Sequence, residues 1–427
     1  MDLTVEGKAF VNGSFNDSCI GIKNGKISKI KKILKGDKHI DFGNKLILPA
    51  GIDIHVHFRD PGLTHKEDFS TGSMAAAFGG MSCVFDMPNT IPHTANIQAL
   101  YDKINSAEKK SYTDFGIYVA VNDDNISDIK TLGKKCSGFK IYLGSTTNII
   151  HFDKKNLKEA LIKISKTKKI VLFHAEDELC LTNHKTQENN ITDHFLARPA
   201  QCEEYAIKDI LAASKNINTK IHVCHLSSCE GLEVLKNRTK NISCGVTPPH
   251  SLLSAEDNFR HETLFKVNPP IRTRFDKEAL FDNIKNDFIN VLESDHAPHT
   301  LDEKNVDFNE APSGLPSVET MYPMFLYFVK KEVLPIRRLV SLICEKPAEL
   351  TSIPKGKIEV GRDADFIIVD LKEESKIKPE NLHSKCGWSP FEGWPAIFPS
   401  HVFIRGEKLI EENEIQVSQG FGKFVGE

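Results

Sequence analysis

The chain has 427 residues, 40% of them hydrophobic, so it can bury a large core, and one barrel-sized domain with an accessory domain fits as well as two or three small ones. Lys and Arg (55) nearly balance Asp and Glu (58), giving a formal net charge of -3, which leaves no electrostatic case for nucleic acid or an anionic membrane as a partner. The first residues lack a basic-then-apolar leader pattern, and the most apolar late run, residues 321–329, is short and holds Pro323, so a soluble, cytoplasmic protein is expected. The ten cysteines form no CxxC pair, and Cys83, Cys224 and Cys244 lie in apolar runs where a thiol packs as a small hydrophobe; all ten are expected to be reduced.

Residues 1–48 carry short β-like pieces punctuated by Asn12-Gly13 and Asn24-Gly25, both hairpin signals, and predict a small antiparallel sheet. From Pro49 the texture changes to apolar runs alternating with helical patterns. The runs are 52–57, 83–87, 115–121, 139–143, 170–175, 221–226, 242–247 and 288–294, with amphipathic stretches such as 96–110, 156–167, 202–214 and 277–286 between them. Eight strands with intervening helices predict an α/β fold, a (β/α)8 barrel over residues 49–353. The stretches after the last two runs, 250–274 and 301–316, are long and rich in Pro, Asp and Glu, as expected of loops on a catalytic rim. After 353 the chain returns to β texture, at 366–369 and 401–405. Residues 354–427 are therefore assigned with 1–48 to one small composite β domain, expected to be a β-sandwich built from both chain ends.

The chemistry-bearing residues fall at the ends of these runs. In GIDIHVHFRDPG (51–62), Ile52, Ile54 and Val56 alternate with Asp53, His55 and His57, so a regular strand points both histidines to one face, where they can grip one ion. Lys140 sits in the apolar GFKIY (138–142) with no sequence-local partner. His174 follows in FHAE (173–176), His225 in VCHLSS (223–228) and Asp295 in ESDHAPH (293–299). Any one of these alone reads as a hydrogen-bonded core residue; such groups on one rim of one barrel point to a metal site.

HxH on the first strand, Lys on the fourth, single histidines on the fifth and sixth and Asp on the eighth resemble the binuclear zinc site of the amidohydrolase superfamily. Within it, DIHVHFRDPG (53–62), MPNT (87–90), VNPPIR (267–272), SDHAPH (294–299), APSGLP (311–316) and GWSPFEGW (387–394) resemble the dihydroorotase family over nearly the whole chain, and GRDADFIIVD (361–370) resembles that family's composite β domain. The resemblance implies two Zn2+ per chain. His55, His57 and Asp295 would hold one ion and His174 and His225 the other, bridged by a hydroxide and by Lys140. An ammonium has no lone pair, so Lys140 would serve as a carbamate, with Asp153 the alternative bridge. The resemblance also implies that Asp295 carries the proton, that Arg59, Asn89 and His299 take the substrate carboxylate, and that Asn268 contacts the pyrimidine ring. His65, Glu176, His250 and His296 are polar rim residues without an assigned role, and Pro249 stands where the family pattern leads us to expect a second histidine.

The implied reaction is the reversible cyclisation of N-carbamoyl-L-aspartate to dihydroorotate in pyrimidine biosynthesis, on a small-molecule substrate. A second copy of the chain and aspartate transcarbamoylase are the macromolecular partners left open. Two other readings compete. An allantoinase or hydantoinase would share the metal cage and differ in the substrate pocket. A catalytically dead scaffold for aspartate transcarbamoylase should have lost ligands, whereas all six positions are filled.

Overall fold

The computed structural model describes residues 1–145 and 152–426. Eight parallel strands follow one another in sequence order around a barrel: β1 (Gly51–Val56), β2 (Met81–Asp86), β3 (Asp114–Ala120), β4 (Gly138–Tyr142), β5 (Ile170–His174), β6 (Ile221–Val223), β7 (Ile242–Val246) and β8 (Val291–Leu292). The ring closes where His57 N–H donates to His296 O at 2.8 Å, just past the ends of β1 and β8. The expected α/β barrel is therefore present, with a second sheet beside it. Its last strand is far shorter than the apolar run 288–294 suggested. Backbone bonds continue on either side, from Asn290 to Cys244 and from Glu293 to Val246, but Asp295 turns the chain away at φ 46°.

The helices between strands form for local reasons. In Ile97–Lys110, Asn96 caps the start by accepting from Ala99 N, Leu100, Ile104 and Ala107 face the barrel, and Lys109 and Lys110 complement the exposed carbonyl end. Arg274–Lys285 opens with a reciprocal cap between Thr273 and Asp276. Among the described residues no helix is long and apolar enough to cross a membrane.

The second sheet draws on both chain ends. Its order runs from Glu414–Ile415 through Glu407–Glu411, His401–Ile404, Phe366–Val369, Lys38–Pro49 and Leu3–Val11 to Ser14–Lys23 and Lys26–Lys31. The two hairpin turns take positive φ at both central positions, 52° and 81° at Asn12-Gly13 and 52° and 75° at Asn24-Gly25, as tight turns between twisted strands require. Val5, Ile20, Ile22, Ile47, Phe366 and Phe403 give this sheet an apolar cluster of its own.

Two expectations fail: the sheet of residues 1–48 is mixed rather than antiparallel, because Leu3–Val11 pairs parallel with Lys38–Pro49, and not all ten cysteines are reduced. Cys180 and Cys202 form a disulfide, with Cα atoms 5.3 Å apart, between the helices Glu178–His184 and Ala200–Ala213. The two lie 22 residues apart with no motif linking them, so only the packing of the two helices reveals the pair. The other eight cysteines are free thiols.

Candidate active site

The ladder between β1 and β2 slips between Gly51 and Ile52 and again between Asp53 and Val56, and this irregularity sets up the site. A regular strand would put Ile52, Ile54 and Val56 on one face, away from the histidines. Instead Ile52 and Ile54 pack inside the barrel with Phe85, Tyr118, Leu172 and Val291, while Val56 and Phe58 pack outside it against the helices. The change of phase stacks His55 and His57 on the interior, above the isoleucines. Asp53 fixes the bend, its Oδ1 accepting from His55 N at 3.1 Å and from Ser294 N on the opposite side at 3.2 Å. Burial pushes the Asp53 carboxyl up to about 7.

Two sets of donor atoms converge here. Nε2 of His55 and Nε2 of His57 lie 3.2 and 3.1 Å from Asp295 Oδ1. Nδ1 of His174 lies 3.1 Å from Nε2 of His225. The outward nitrogens of three of these rings face acceptors. His57 Nδ1 donates to Asn89 Oδ1 at 2.6 Å, His174 Nε2 donates to Glu176 Oε2 at 2.8 Å, and His55 Nδ1 lies 3.5 Å from Glu293 Oε2. Such backing puts the proton on the outer nitrogen and aims the inner lone pair at the shared space, which is how metal-binding histidines are oriented. Burial, with the charge of Lys140 adding to it, holds His55 and His225 well below the ordinary imidazole range, so both are neutral and able to ligate. Ligand atoms of His55, His225 and Asp295 all lie within 4.8 Å of one another, and the donor set fits a divalent metal.

Lys140 is fully buried, its Nζ 3.3 Å from Cys224 Sγ, and among the described residues it has no carboxylate partner. An unpaired ammonium at such a depth is costly, whereas a carbamate on this nitrogen would face the histidine cluster with two oxygens. Asp153, the alternative bridge, is occupied elsewhere: it caps the turn Lys154–Asn156 by accepting from Lys155 N.

Arg59 leaves β1 at φ 62° and is buried, with Nε donating to Pro298 O at 3.2 Å and Nη2 3.2 Å from His299 Nε2. Arg59, Asn89, Asn268, Lys140 and Asp295 share one cavity with the four histidines, and His299 joins it through Arg59. Asn268 accepts from Ser313 Oγ at 3.2 Å. Gly314, at φ 148°, lets the 311–316 loop lie against this pocket, where a Cβ would sit 2.4 Å from Ala297 O and 3.0 Å from the His299 ring. A larger cavity of ≈ 770 Å³ among Lys45, Phe78, Glu319, Glu373 and His383 gathers mixed charges and no such donor set.

The polar rim residues resolve into supports. Glu176 joins His174 to Arg198, whose charge holds the carboxyl well below its ordinary range against the effect of burial. His250 Nε2 donates to Pro269 O at 2.8 Å, and His296 accepts from Ser317 N at 3.2 Å, while His65 is exposed beside Glu303. Pro249 lies in the first turn of the short helix Pro248–Leu252, capped by Thr247, a position that suits proline. Two groups escaped the sequence reading. Glu293 accepts from His225 N at 2.6 Å as well as backing His55, and Tyr142 lines the cavity with a buried hydroxyl that has no partner among the described residues. An acidic residue inside the apolar run 288–294 was the available sign for Glu293.

Residues 46–409 match the model of the amidohydrolase family. The dihydroorotase of Thermoplasma volcanium is 40% identical over 100% of this chain and 98% of its own, and that of Methanosarcina acetivorans is 38% identical over 98% and 94%. Among solved structures, the L-hydantoinase (dihydropyrimidinase) of Arthrobacter aurescens superposes with a TM-score of 0.95 at 28% identity, covering 99% of both chains. The dihydropyrimidinase of Brevibacillus agri, at a TM-score of 0.91 and 24% identity over 100% and 98%, shares the fold.

Proposed function

The chain belongs to the amidohydrolase family, and from that premise we propose that it is a zinc-dependent dihydroorotase, interconverting N-carbamoyl-L-aspartate and (S)-dihydroorotate in pyrimidine biosynthesis. It is a hydrolase of cyclic amides. The observation that carries the choice of substrate is the buried Arg59 guanidinium beside His299 on the wall of the cavity. A hydantoin or dihydrouracil ring offers a buried guanidinium only neutral carbonyl oxygens; dihydroorotate offers a carboxylate at the ring edge. That argument favours it over the hydantoinase reading, which the fold alone would allow.

In this reading residues 49–353 are the catalytic barrel, and 1–48 with 354–427 are the composite β domain. His55, His57 and Asp295 would hold one zinc, His174 and His225 the second, and Lys140, as its carbamate, would bridge them. Zinc held there would supply a water of lowered pKa and polarise the amide carbonyl. Asp295 accepts the proton released as the carbonyl is attacked and passes it to the ring nitrogen as the amide bond breaks; ring closure runs the same transfer backwards. Arg59, Asn89 and His299 hold the spectator carboxylate, and Asn268 faces the ring. Asn89 also orients a ligand ring, since its Oδ1 accepts from His57 Nδ1. Metal analysis with an assay on dihydroorotate, hydantoin and dihydrouracil tests this reading. Close to two zinc ions per chain and turnover confined to dihydroorotate are expected; a metal-free active preparation, or a preference for hydantoin, would overturn it.

A further inference from the structure

The choice of substrate rests on Arg59, and the chain on either side of Arg59 is tied to a single helix. Phe58 N, just before it, donates to Asp86 Oδ1 at 2.6 Å, and Asp86 Oδ2 lies 2.5 Å from Nζ of Lys103. Asp60, just after it, accepts from Lys110 Nζ at 2.6 Å and from Ser106 Oγ at 3.2 Å. Lys103, Ser106 and Lys110 all belong to the helix Ile97–Lys110. They follow one another at i, i+3 and i+7, so they form one stripe along that helix, beside the apolar residues that face the barrel. The same helix reaches toward Asn89. Lys103 Nζ also donates to Met87 O at 2.6 Å, two residues before Asn89, while Met87 N donates to Val56 O at 2.8 Å. Lys103, Asp86 and Asp60 are all buried. A buried ion pair is weak evidence of stability, since apolar residues of the same volume serve a core at least as well. What the charged groups add here is direction, because their hydrogen bonds fix the backbone at the exits of β1 and β2.

We propose that Lys103 and Lys110 are positioning residues: through them the helix Ile97–Lys110 clamps the chain on both sides of Arg59 and sets the guanidinium and Asn89 in place for the substrate carboxylate. Arg59 sits at φ 62°, and with either flank released it would relax out of this strained region and carry its side chain off the cavity wall. The proposal rests on the dihydroorotase reading for the identity of the carboxylate, and on the contacts alone for the clamp. Lysines at this spacing on an amphipathic helix read as a solvated face in the sequence, and only the fold turns Lys103 inward.

Lys110 is partly exposed, so Lys110→Met should fold and keep its zinc. On dihydroorotate it should raise KM about tenfold, within the range that a misplaced binding group costs, with kcat within about threefold of the parent. Lys110→Arg, which keeps a cation for Asp60, should retain the parent KM. Lys103→Met combined with Asp86→Asn removes the buried pair without stranding a charge, and should raise KM at least as much as Lys110→Met. In the Arg59→Met background Lys110→Met should cost less than about threefold, since a residue that acts through Arg59 then has nothing left to position. Hydrogen exchange at the Arg59 Nε–H, which donates to Pro298 O, reads the clamp without any substrate. In protein carrying 15N-labelled arginine, with this signal identified by its loss in Arg59→Met, Lys110→Met should speed the exchange about tenfold. Unchanged KM in Lys110→Met or in the Lys103–Asp86 double variant overturns the proposal. So does the full loss repeated in the Arg59→Met background, or unchanged exchange at Arg59. A parent enzyme that does not turn over dihydroorotate, yet whose Arg59 exchange follows Lys110, would count against the substrate and not against the clamp.

Discussion

Arg59, His225 and Asp295 adopt φ values of 62°, 37° and 46°, in the left-handed region that side chains with a Cβ avoid. Each follows the end of a barrel strand, and each twist redirects a polar side chain toward the common cavity; strain of order 1 kcal/mol or more per residue persists because the surrounding barrel over-determines it. Arg59, Asp295 and the neighbouring Lys140 should fail differently when changed. Arg59→Met forfeits a charge-assisted contact to a carboxylate that does not react, so kcat/KM on dihydroorotate should fall by about 30- to 1000-fold, roughly 2–4 kcal/mol, with zinc content unchanged. Equal slowing on a ring without a carboxylate would make Arg59 a structural residue. Asp295→Asn keeps the shape and removes the proton acceptor, so kcat should drop by about 10²- to 10⁴-fold while KM moves little. Lys140→Ala should abolish activity and lower bound metal, with partial rescue by small carboxylic acids that fill the bridging position; intact activity and metal would place the bridge elsewhere.

The loop that carries Asn268 is held from outside the barrel by the helix Ile191–Ala197: His194 Nε2 lies 3.0 Å from Val267 O and its Nδ1 2.8 Å from Glu188 Oε2, which also pairs with Lys266 at 3.2 Å. Burial pushes the Glu188 carboxyl up, but the His194 hydrogen bond and the Lys266 charge outweigh it and bring it down to about 2. The folded-state value is depressed, so the stabilisation is fully present above the ordinary value of 4.5 and is lost as pH falls toward 2. Urea midpoints at neutral pH and at about pH 3.5 should therefore fall more for the parent than for Glu188→Gln, which has no such proton to gain. An equal acid loss in both would show that other carboxylates dominate. The same segment shows where the sequence ran out. The eight runs were readable because a short apolar run between helical patterns is a local signal, and the candidate site residues stood out as polar residues in or just after five of them. The slip at Asp53–Val56, the Cys180–Cys202 pair and the support from Glu176 through Arg198 depend on which neighbours the fold brings alongside, and no local pattern encodes them.

The second sheet meets the base of the barrel at one buried cation. Lys355 Nζ lies 2.6 Å from Asp114 at the start of β3, 2.7 Å from Asp365 and 3.1 Å from Asp363, the last two leading into Phe366–Val369 of the second sheet. Arg405, which follows His401–Ile404 of that sheet, also pairs with Asp114. The C-terminal tail completes the junction: Lys423 N donates to Asp114, Phe115 N donates to Lys423 O, and Val425 N donates to Phe115 O along β3. The carboxylates, with burial opposing them, hold the Lys355 ammonium above its ordinary range, so this cation stays charged through the neutral range and loses its contribution only at strongly alkaline pH. Lys355→Met would leave three carboxylates facing one another with a single cation fewer, and removing one partner from a buried ionic group costs about 3–5 kcal/mol. Thermal unfolding should shift down accordingly and, if the junction couples barrel to sheet, the single cooperative transition of the parent should split or broaden in the variant. The proposed metal ligands lie at the opposite ends of the strands, so zinc content and KM of the folded variant should match the parent. A variant that melts with the parent would mean that the apolar clusters alone join the two sheets, and one that loses zinc while still folded would mean that strain at the base reaches the catalytic rim.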